Sequence, residues 1–386
     1  MHALSGVRVV ELARILAGPW IGQTLADLGA DVIKVESPEG DDTRRWGPPF
    51  IETDGERAAA YFHCCNRGKR SIVADFATET GRDIVRRLAA RADVLIENFK
   101  VGGLKKFGLD YDSLRELNPR LVYCSVTGFG QTGPHAERAG YDFLIQGMSG
   151  YMDITGEPDG APMKVGVAVS DLFAGLYGVI AIEAALIARD RTGEGQLIDL
   201  ALLDTMGAML ANQAMNYLAS GVAPRRLGNA HPNIAPYQTF PVADGHVIVA
   251  VGNDAQFARL CQVLDLNPLA EDTRFATNAA RVLNRAELER ELAAKTRLWP
   301  RDRLLAALEK AVVPAGPINT VADLFHDPQF VARNMRIDLQ GIPGVRSPIG
   351  LSRSGLSLKR RAPRLDEHRA EILREIGLDG SGAATA

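Results

Sequence analysis

The first part of the chain alternates between apolar runs and segments with helical periodicity. The apolar runs are rich in β-branched side chains and occupy residues 7–12, 31–36, 70–76, 92–99 and 121–129. Amphipathic segments lie between them. Strands that alternate with amphipathic helices are typical of parallel βαβ units. The pattern therefore predicts an α/β fold built on a doubly wound parallel sheet.

The pattern changes after residue 218. Long helices are predicted before it, over residues 163–188 and 200–218, whereas the next stretch is rich in Pro, Gly and Asn and is typical of a linker. Two β-rich runs around Asp244 and Gly245 then predict a hairpin. We expect a large domain, a linker, a smaller α+β domain and a return segment that completes the large domain, over residues 1–218, 219–237, 238–325 and 326–386.

Length and charge limit the classes of protein. At 386 residues the chain exceeds the roughly 250–300 residues at which single cores stop growing, so two domains are expected. A formal net charge of -3 gives no electrostatic footprint for nucleic acid or an anionic membrane. The uncharged apolar run over residues 172–182 is shorter than the ~20 residues that span a bilayer.

The cysteines and histidines exclude several chemistries. The four cysteines have neither disulfide-scaffold density nor metal-ligand spacing, and the seven histidines are scattered. The HExxH and GxSxG signatures do not occur, so metal-dependent and serine-hydrolase classes have little support. We expect a cytoplasmic protein with reduced thiols, no metal site, and no nucleic-acid or membrane partner.

One acid, Asp171, stands at the start of an otherwise uncharged apolar helix. No charged residue occurs over residues 172–182, and Gly175 and Gly178 leave that helix a smooth face. A carboxylate beside such a wall is poorly solvated, and its charge is costly unless it has a partner or a chemical role. The alternative is a helix N-cap made by Ser170 or Asp171, and this segment alone leaves both readings open.

A glycine-rich motif matches the dinucleotide-binding pattern only in its letters. Residues 128–133 read GxGxxG after a strand, and Asp153 lies further on, where a ribose-binding acid is expected. A pyrophosphate site needs the loop to open directly into a helix. Pro134 and Gly140 interrupt the segment that follows. We therefore predict a structured loop here and not a nicotinamide site.

A basic run lies just before the third strand-like segment. Arg67, Lys69 and Arg70 could neutralise a phosphate there. A solvated run of charges is the usual alternative, and composition alone favours it.

Six segments, in this order, resemble the type III CoA-transferase family, also called the CaiB/BaiF family. They cover residues 16–44, 66–72, 92–114, 118–134, 139–178 and 191–206, and the resemblance extends over nearly the whole chain. It implies a large Rossmann-like domain made from both termini, a smaller α+β domain and an interlocked-ring homodimer. Acyl-CoA and carboxylic acids would be substrates, and no cofactor would be bound permanently.

The resemblance also implies roles for individual residues. By this carry-over, Asp171 is the nucleophile. The remaining positions would contact CoA: Leu16 and Ala17 after the first strand, Lys69, Arg70 and Lys106 at its phosphates, Asn98 and Phe99 near the thioester, and Tyr141 and Asp142 in the AG-Y/H-D motif.

Two departures refine the expected activity. Family members that resemble α-methylacyl-CoA racemase carry histidine where this chain has Tyr141, and a tyrosine, with an ordinary pKa of about 10, is a poor base near neutrality. Leu16 replaces the glutamine of the oxalate-specific formyl-CoA transferases. The chain is more similar to succinyl-CoA-dependent dicarboxylate transferases of the glutarate type.

We therefore expect CoA to move from an acyl-CoA, with succinyl-CoA as the donor, to a short-chain carboxylate or dicarboxylate through an aspartyl-CoA thioester. The alternatives are an acyl-CoA racemase or epimerase, and an intramolecular CoA isomerase of a dicarboxylic acid. Backbone N–H groups near Asn98-Phe99 and Gly252-Asn253 are candidates for oxyanion donors. Arg225 and Arg226 are candidates for the acceptor carboxylates, although a solvated pair is the alternative.

Overall fold

A computed structural model describes residues 1–53 and 55–378. The chain divides into two compact units. Unit 1 comprises Met1–Ser149, Val165–Leu210 and Pro328–Ala386, and unit 2 comprises Gly150–Lys164 and Ala211–Asp327. The last eight residues of the predicted return segment lie outside the described residues.

The strands are numbered along the chain: β1 (Arg8–Glu11), β2 (Asp31–Glu36), β3 (Phe50–Thr53), β4 (Glu56–Ala59), β5 (Arg70–Val73), β6 (Val94–Glu97), β7 (Val122–Thr127), β8 (Leu197–Ala201), β9 (Tyr237–Val242), β10 (Gly245–Ala250), β11 (Ala315–Pro317), β12 (Arg336–Leu339) and β13 (Ile342–Val345).

The helices are numbered in the same way: α1 (Ala17–Asp27), α2 (Ala60–His63), α3 (Glu79–Ala89), α4 (Tyr111–Leu117), α5 (Asp142–Met148), α6 (Tyr151–Ile154), α7 (Val169–Thr192), α8 (Leu202–Met209), α9 (Ala211–Ser220), α10 (Asp254–Val263), α11 (Asn267–Glu271), α12 (Asn278–Leu283), α13 (Arg285–Thr296), α14 (Arg301–Lys310), α15 (Val321–His326), α16 (Pro328–Ala332) and α17 (Arg369–Glu375). Short 3-10 turns cover Asp42–Arg45 and Lys105–Phe107.

The central sheet of unit 1 has the strand order β5-β2-β1-β6-β7-β8, and every neighbouring pair is parallel. This is the order of a doubly wound Rossmann fold, in which the winding direction reverses between the first strand and the fourth, here β1 and β6. The predicted α/β fold with a parallel central sheet is confirmed. Ligands of such sheets bind beyond the carboxyl ends of the strands at this reversal.

The return segment completes unit 1. Ile372 and Ile376 of the α17 region are buried in the same apolar core as Ile84 of α3 and the central strands. The His368 N–H donates to the Ser71 carbonyl at 3.0 Å, which ties the segment to β5. Burial of apolar side chains at about 25 cal/mol per Å² is what holds this distant part of the chain in place.

Helix α7 starts later than predicted. It begins at Val169 and not at residue 163, and the Met163 N–H donates instead to the Thr155 carbonyl at 3.0 Å. It ends at Thr192, because the next residue, Gly193, has a φ of +80°, the left-handed conformation that stops a helix.

The predicted smooth face of α7 packs against α1. A Cβ on Gly178 would lie 2.4 Å from Ile21 Cδ1, and one on Gly175 would lie 2.9 Å from Trp20 Cδ1, so both positions need glycine for this approach. The most apolar window of α7 has a mean hydropathy of 1.8 and is 39% buried. The helix is therefore long and apolar enough to cross a membrane, although a core helix of a soluble protein meets the same criteria.

The helix predicted over residues 200–218 is instead two helices, α8 and α9. Ala211 has a φ of +47°, and a left-handed backbone conformation cannot continue a right-handed helix. In unit 2, β9 and β10 pair as an antiparallel hairpin in which Val242 is opposite Gly245, which confirms the predicted hairpin. Helices α10, α13 and α14 cover it with buried Phe257, Leu292 and Leu304.

Two segments that the sequence assigns to the large domain lie in unit 2, namely Gly150–Lys164 and the start of Ala211–Asp327. The first is held there by the predicted linker, because the Gly228 N–H donates to the Gly156 carbonyl at 3.1 Å. In addition, Arg226 Nη1 donates to the Asp153 carbonyl at 2.9 Å and forms an ion pair with its carboxylate at 3.2 Å. Arg226, a candidate for acceptor binding, is therefore engaged within unit 2.

Buried charges connect β1, β2 and the approach to β5. Lys34 Nζ lies 3.1 Å from Glu11 Oε1 and 2.9 Å from Asp41 Oδ2, and Lys69 Nζ lies 2.8 Å from Glu11 Oε2. All four residues are at most 1% exposed. A Cβ on Gly22 of α1 would lie 1.8 Å from Glu11 Oε2, so only glycine lets α1 cover this network.

The structure contradicts the prediction that Lys69 and Arg70 hold CoA phosphates. Besides its ion pair, Lys69 Nζ donates to the Pro19 carbonyl at 2.9 Å and to Asn66 Oδ1 at 2.8 Å, and its side chain is fully buried. The Arg70 guanidinium is also buried and is paired with Asp31, Glu371 and Glu375. Both cations therefore stabilise the fold and do not face a ligand.

We predict that Lys69→Met destabilises the protein by about 3 kcal/mol, because removal of one partner leaves a buried charge uncompensated. Urea unfolding measures the change. The matched control is Lys106→Met, at an exposed position, which we expect to alter stability by less than about 0.5 kcal/mol. Equal unfolding midpoints for the two variants would contradict the structural role of Lys69.

Candidate active site

A cavity of about 490 Å³ lies at the carboxyl ends of β1, β6 and β7, where the sheet reverses its winding. The loops that follow these strands form its walls. Seven of the predicted site residues line it: Leu16, Ala17, Asn98, Phe99, Lys106, Tyr141 and Asp171. The structure thus brings together residues that are far apart in the sequence.

The loop after β1 is held in a strained conformation. Ile15 has a φ of +73°, which is rare for a β-branched residue and recurs at functional sites. The Ile15 N–H lies 3.3 Å from Asp41 Oδ2. Burial opposes the charge of Asp41, but Lys34 and the bonds from Thr43 lower the pKa of this carboxyl to about 2. The acceptor for the Ile15 N–H therefore stays ionised.

The side chain of Asn98 joins the two loops at the reversal. Its Oδ1 accepts from the Arg14 N–H at 2.9 Å, and its Nδ2 donates to the Arg14 carbonyl at 2.7 Å. Both polar groups of the amide are thus used to hold the loop after β1 against the loop after β6. This fixes the backbone of the cavity wall from both strands.

Asp171 is the third residue of α7 and is half-buried. Its carboxylate has no hydrogen bond with any residue in 1–53 or 55–378. The helix N-terminus is capped instead by Asp142, whose Oδ1 accepts from the Ser170 N–H at 2.9 Å and from the Ser170 hydroxyl at 2.8 Å. The interpretation of Ser170 or Asp171 as the N-cap is therefore wrong.

Burial and the nearby Asp142 charge raise the pKa of Asp171 to about 7. The carboxylate is therefore poorly solvated, yet it is substantially ionised near neutral pH. A carboxylate of this kind is a better nucleophile than a hydrated one, since little solvation must be lost before it attacks.

Tyr61 lies close to this carboxylate and was missed in the sequence. Burial and the charge of Asp171 raise the pKa of its phenol, so the hydroxyl stays protonated. Its ring packs edge-on against Trp46 at a centroid distance of 5.4 Å. Tyr61 belongs to the four-residue helix α2, and no motif marks it in the sequence.

The glycine-rich segment folds back on itself after β7. A Cβ on Gly128 would lie 2.5 Å from the Gly140 Cα, so the two glycines allow a close backbone contact. The chain between them contains no helix, and α5 begins only at Asp142. The predicted structured loop is confirmed. Its return brings Tyr141 to the cavity and Asp142 to the start of α7.

A second cavity of about 300 Å³ adjoins the carboxyl ends of β1, β2 and β5. It shares Arg14, Phe99 and Phe107 with the first cavity. Phe76 lies 6.1 Å from the Phe99 ring and 6.0 Å from the Phe107 ring, between centroids. The alternation of apolar residues that predicts the strands does not distinguish these aromatic side chains, so the sequence did not reveal this site.

Two of the candidate oxyanion donors are occupied. The Phe99 N–H donates to Glu97 Oε2 at 2.7 Å, and burial raises the pKa of this glutamate to about 7. In unit 2, the Gly252 N–H donates to Gln256 Oε1 at 2.7 Å. These two N–H groups therefore stabilise their own loops. Within residues 1–53 and 55–378, no group of three or more His, Cys, Asp and Glu could hold a metal ion.

Known proteins resemble this chain along nearly its whole length. The family model described as CoA-transferase family III matches residues 4–369. The succinate–glutarate CoA-transferase of Agrobacterium fabrum is 61% identical over 381 residues, which covers 97% of this chain and 95% of that protein. The succinyl-CoA:mesaconate CoA-transferase of Haloarcula hispanica is 42% identical over 394 residues, which covers 99% and 98%.

The fold is also that of a solved structure. The crystal structure of a CaiB/BaiF family protein from Brucella suis superposes with a TM-score of 0.89 at 67% sequence identity, and the match covers 97% of this chain and 100% of that one. Together with the family match, this similarity shows that the chain is a CoA-transferase and belongs to CoA-transferase family III, the CaiB/BaiF family.

Proposed function

We propose that the enzyme transfers CoA from succinyl-CoA to a short-chain dicarboxylate such as glutarate, through a CoA thioester on Asp171. The observation that carries this proposal is the half-buried Asp171 carboxylate, which has no hydrogen bond to any described residue and lines the cavity at the sheet reversal. The names of the relatives from Agrobacterium fabrum and Haloarcula hispanica support dicarboxylate substrates.

The first half-reaction loads CoA onto the enzyme. The Asp171 carboxylate attacks the thioester carbon of succinyl-CoA, the C–S bond breaks, and a mixed anhydride and CoA thiolate form. The thiolate then attacks the aspartyl carbonyl carbon, and succinate leaves as the C–O bond breaks. The product is an aspartyl-CoA thioester, which conserves the thioester bond without a further energy source.

The second half-reaction repeats these steps with the acceptor. Its carboxylate attacks the aspartyl thioester, CoA thiolate leaves, and an anhydride joins Asp171 to the acceptor. The thiolate attacks the acceptor carbonyl carbon, which releases the new acyl-CoA and regenerates the Asp171 carboxylate. The Tyr61 hydroxyl, which stays protonated near Asp171, is suited to donate a hydrogen bond to the developing oxyanions.

The two cavities accommodate the two ends of CoA. The aromatic rings of Phe76, Phe99 and Phe107 offer an apolar pocket for adenine beyond β2 and β5. Arg14 lines both cavities and Lys106 lines the main one, and both would meet the phosphates. This arrangement directs the thioester end towards Asp171. Leu16, Ala17 and Tyr141 would line the remaining path.

Asp171→Ala should abolish CoA transfer, with a loss of roughly 10³-fold or more, while CoA still binds. Intact-protein mass spectrometry during turnover should show a CoA adduct on the wild type and none on the variant. The matched control is Asp190→Ala on the same helix, at a side chain that is 73% exposed, which should keep both activity and adduct. Near-full activity of Asp171→Ala would contradict the proposal.

The value of kcat/KM should fall as the pH drops below about 7, because protonation of Asp171 removes the nucleophile and its pKa is raised to about 7. Asp142→Asn removes the neighbouring charge but keeps an oxygen to cap Ser170, so the pKa of Asp171 should decrease and the acid limb should move to lower pH. Rate profiles from pH 5 to 9 measure both effects. An acid limb at the same pH in both proteins would show that Asp142 does not act on Asp171.

We further propose an interlocked homodimer in the cytoplasm, without membrane association or a permanently bound cofactor. The family resemblance supports it, as do the exposed apolar side chains of Phe143 on α5 and Ile180 on α7, which are 60% and 61% exposed. The protein should appear in the soluble fraction at twice the chain mass of 41.7 kDa by light scattering. An interlocked dimer should also resist dilution, so a mass that falls on dilution would exclude interlocking.

A further inference from the structure

Four cations line the main cavity: Arg14, Lys100, Lys106 and Arg138. The proposed function requires two kinds of anion to bind there, namely the phosphates of CoA and the carboxylates of the acids. If the phosphates and the carboxylates bind at different ends of the cavity, each cation can contact only one of the two kinds of anion. The aromatic contacts of three of these cations, and the position of Lys100 next to Phe99, show which end of the cavity each one occupies.

Arg14 and Lys106 lie at the end nearer the second cavity. Arg14 Cζ is 5.7 Å from the centroid of the Phe99 ring, and Lys106 Nζ is 4.8 Å from that of Phe107. Both rings belong to the walls of both cavities. Lys100 follows Phe99 directly and lies on the same loop. These three cations therefore lie on the side of the main cavity that adjoins the second cavity, where the proposed function places the nucleotide of CoA.

Arg138 lies on a different wall. Its Cζ is 5.3 Å from the centroid of the Phe129 ring, just beyond β7, and its Nη1 is 3.4 Å from His135 Nδ1. The chain from Arg138 runs through Gly140, which is packed against Gly128, to the residue that caps the helix of the nucleophile. Arg138 is thus carried by the same short segment that fixes the start of α7.

The guanidinium of Arg138 is available to a ligand. In the described part of the chain, no carboxylate forms an ion pair with it, and the side chain is exposed at the cavity. Arg14, in contrast, is paired with Asp42 at 3.0 Å. A guanidinium binds a carboxylate through two parallel N–H···O bonds, a geometry that a lysine cannot match.

We infer that Arg138 anchors the distal carboxylate of the dicarboxylic substrate while the other carboxyl group reacts at Asp171. The reacting group must approach Asp171 and Asp142, whose charges repel a second carboxylate. Without a cation, this second carboxylate would lose water in a partly apolar cavity and gain no compensating charge. Arg138 is therefore a specificity-determining residue, and this inference rests on the proposed function.

The test compares two acceptors of equal carbon number, glutarate and valerate, at saturating succinyl-CoA. Arg138→Ala should raise the KM for glutarate by roughly 10- to 100-fold, as expected for a lost charge-assisted pair, while kcat changes little. The KM for valerate should not rise, because that acid has no distal carboxylate. Arg138→Lys should restore part of the glutarate affinity.

Lys106→Ala is the matched control at the nucleotide end. It should raise the KM for succinyl-CoA and leave the KM for both acceptors unchanged. Thermal unfolding and the Kd for CoA should be the same for Arg138→Ala and the wild type, which excludes misfolding.

A glutarate KM within threefold of the wild type in Arg138→Ala, or a parallel rise in the valerate KM, would overturn the inference. A wild type that transfers CoA to no carboxylic acid would instead refute the proposed function, so the two failures are distinguishable.

Discussion

Two carboxylates, those of Asp142 and Asp171, lie at the amino end of α7, and the helix donates hydrogen bonds only to that of Asp142. Asp142, the first residue of α5, accepts from both the backbone and the hydroxyl of Ser170. Asp171 is then left half-buried beside a second negative charge, with no hydrogen bond to any residue the structure describes. Its pKa rises to about 7 for this reason. The rest of the active site depends on this division of roles.

Several features of the fold serve to maintain that division. Gly128 and Gly140 allow the loop after β7 to fold back, which brings Asp142, a residue outside α7, to the amino end of that helix. Gly175 and Gly178 allow α7 to approach α1 closely, so its amino end is fixed relative to the sheet. A side chain at any of these positions would move the cap away from Asp171, the proposed nucleophile, and a shift of about 1 Å is enough to impair catalysis.

Two groups of basic residues in unit 1 have different physical roles. Lys34, Lys69 and Arg70 are buried and neutralise carboxylates of the fold, so their charges are already compensated. Lys106 and Arg138 lie at the cavity and form no ion pair with a described residue. Of these two groups, only the second can attract an anionic substrate, because the charge of each buried cation is already neutralised by its partner.

The sequence by itself determined the α/β class, the parallel sheet, the hairpin at Gly245 and the position of Asp171 at the start of an apolar helix, because each of these depends on local periodicity or on a motif. It also led to Asn98, Phe99, Lys106 and Tyr141, which all line the cavity.

Only the tertiary structure decided which cations are buried, since nothing in the local sequence distinguishes the buried Lys69 from the exposed Lys106. It alone revealed Phe76, Tyr61 and Arg138, and it alone showed that Asp142 and not Ser170 caps α7. Each of these depends on contacts between residues distant in the chain, and a local pattern carries no information about such contacts.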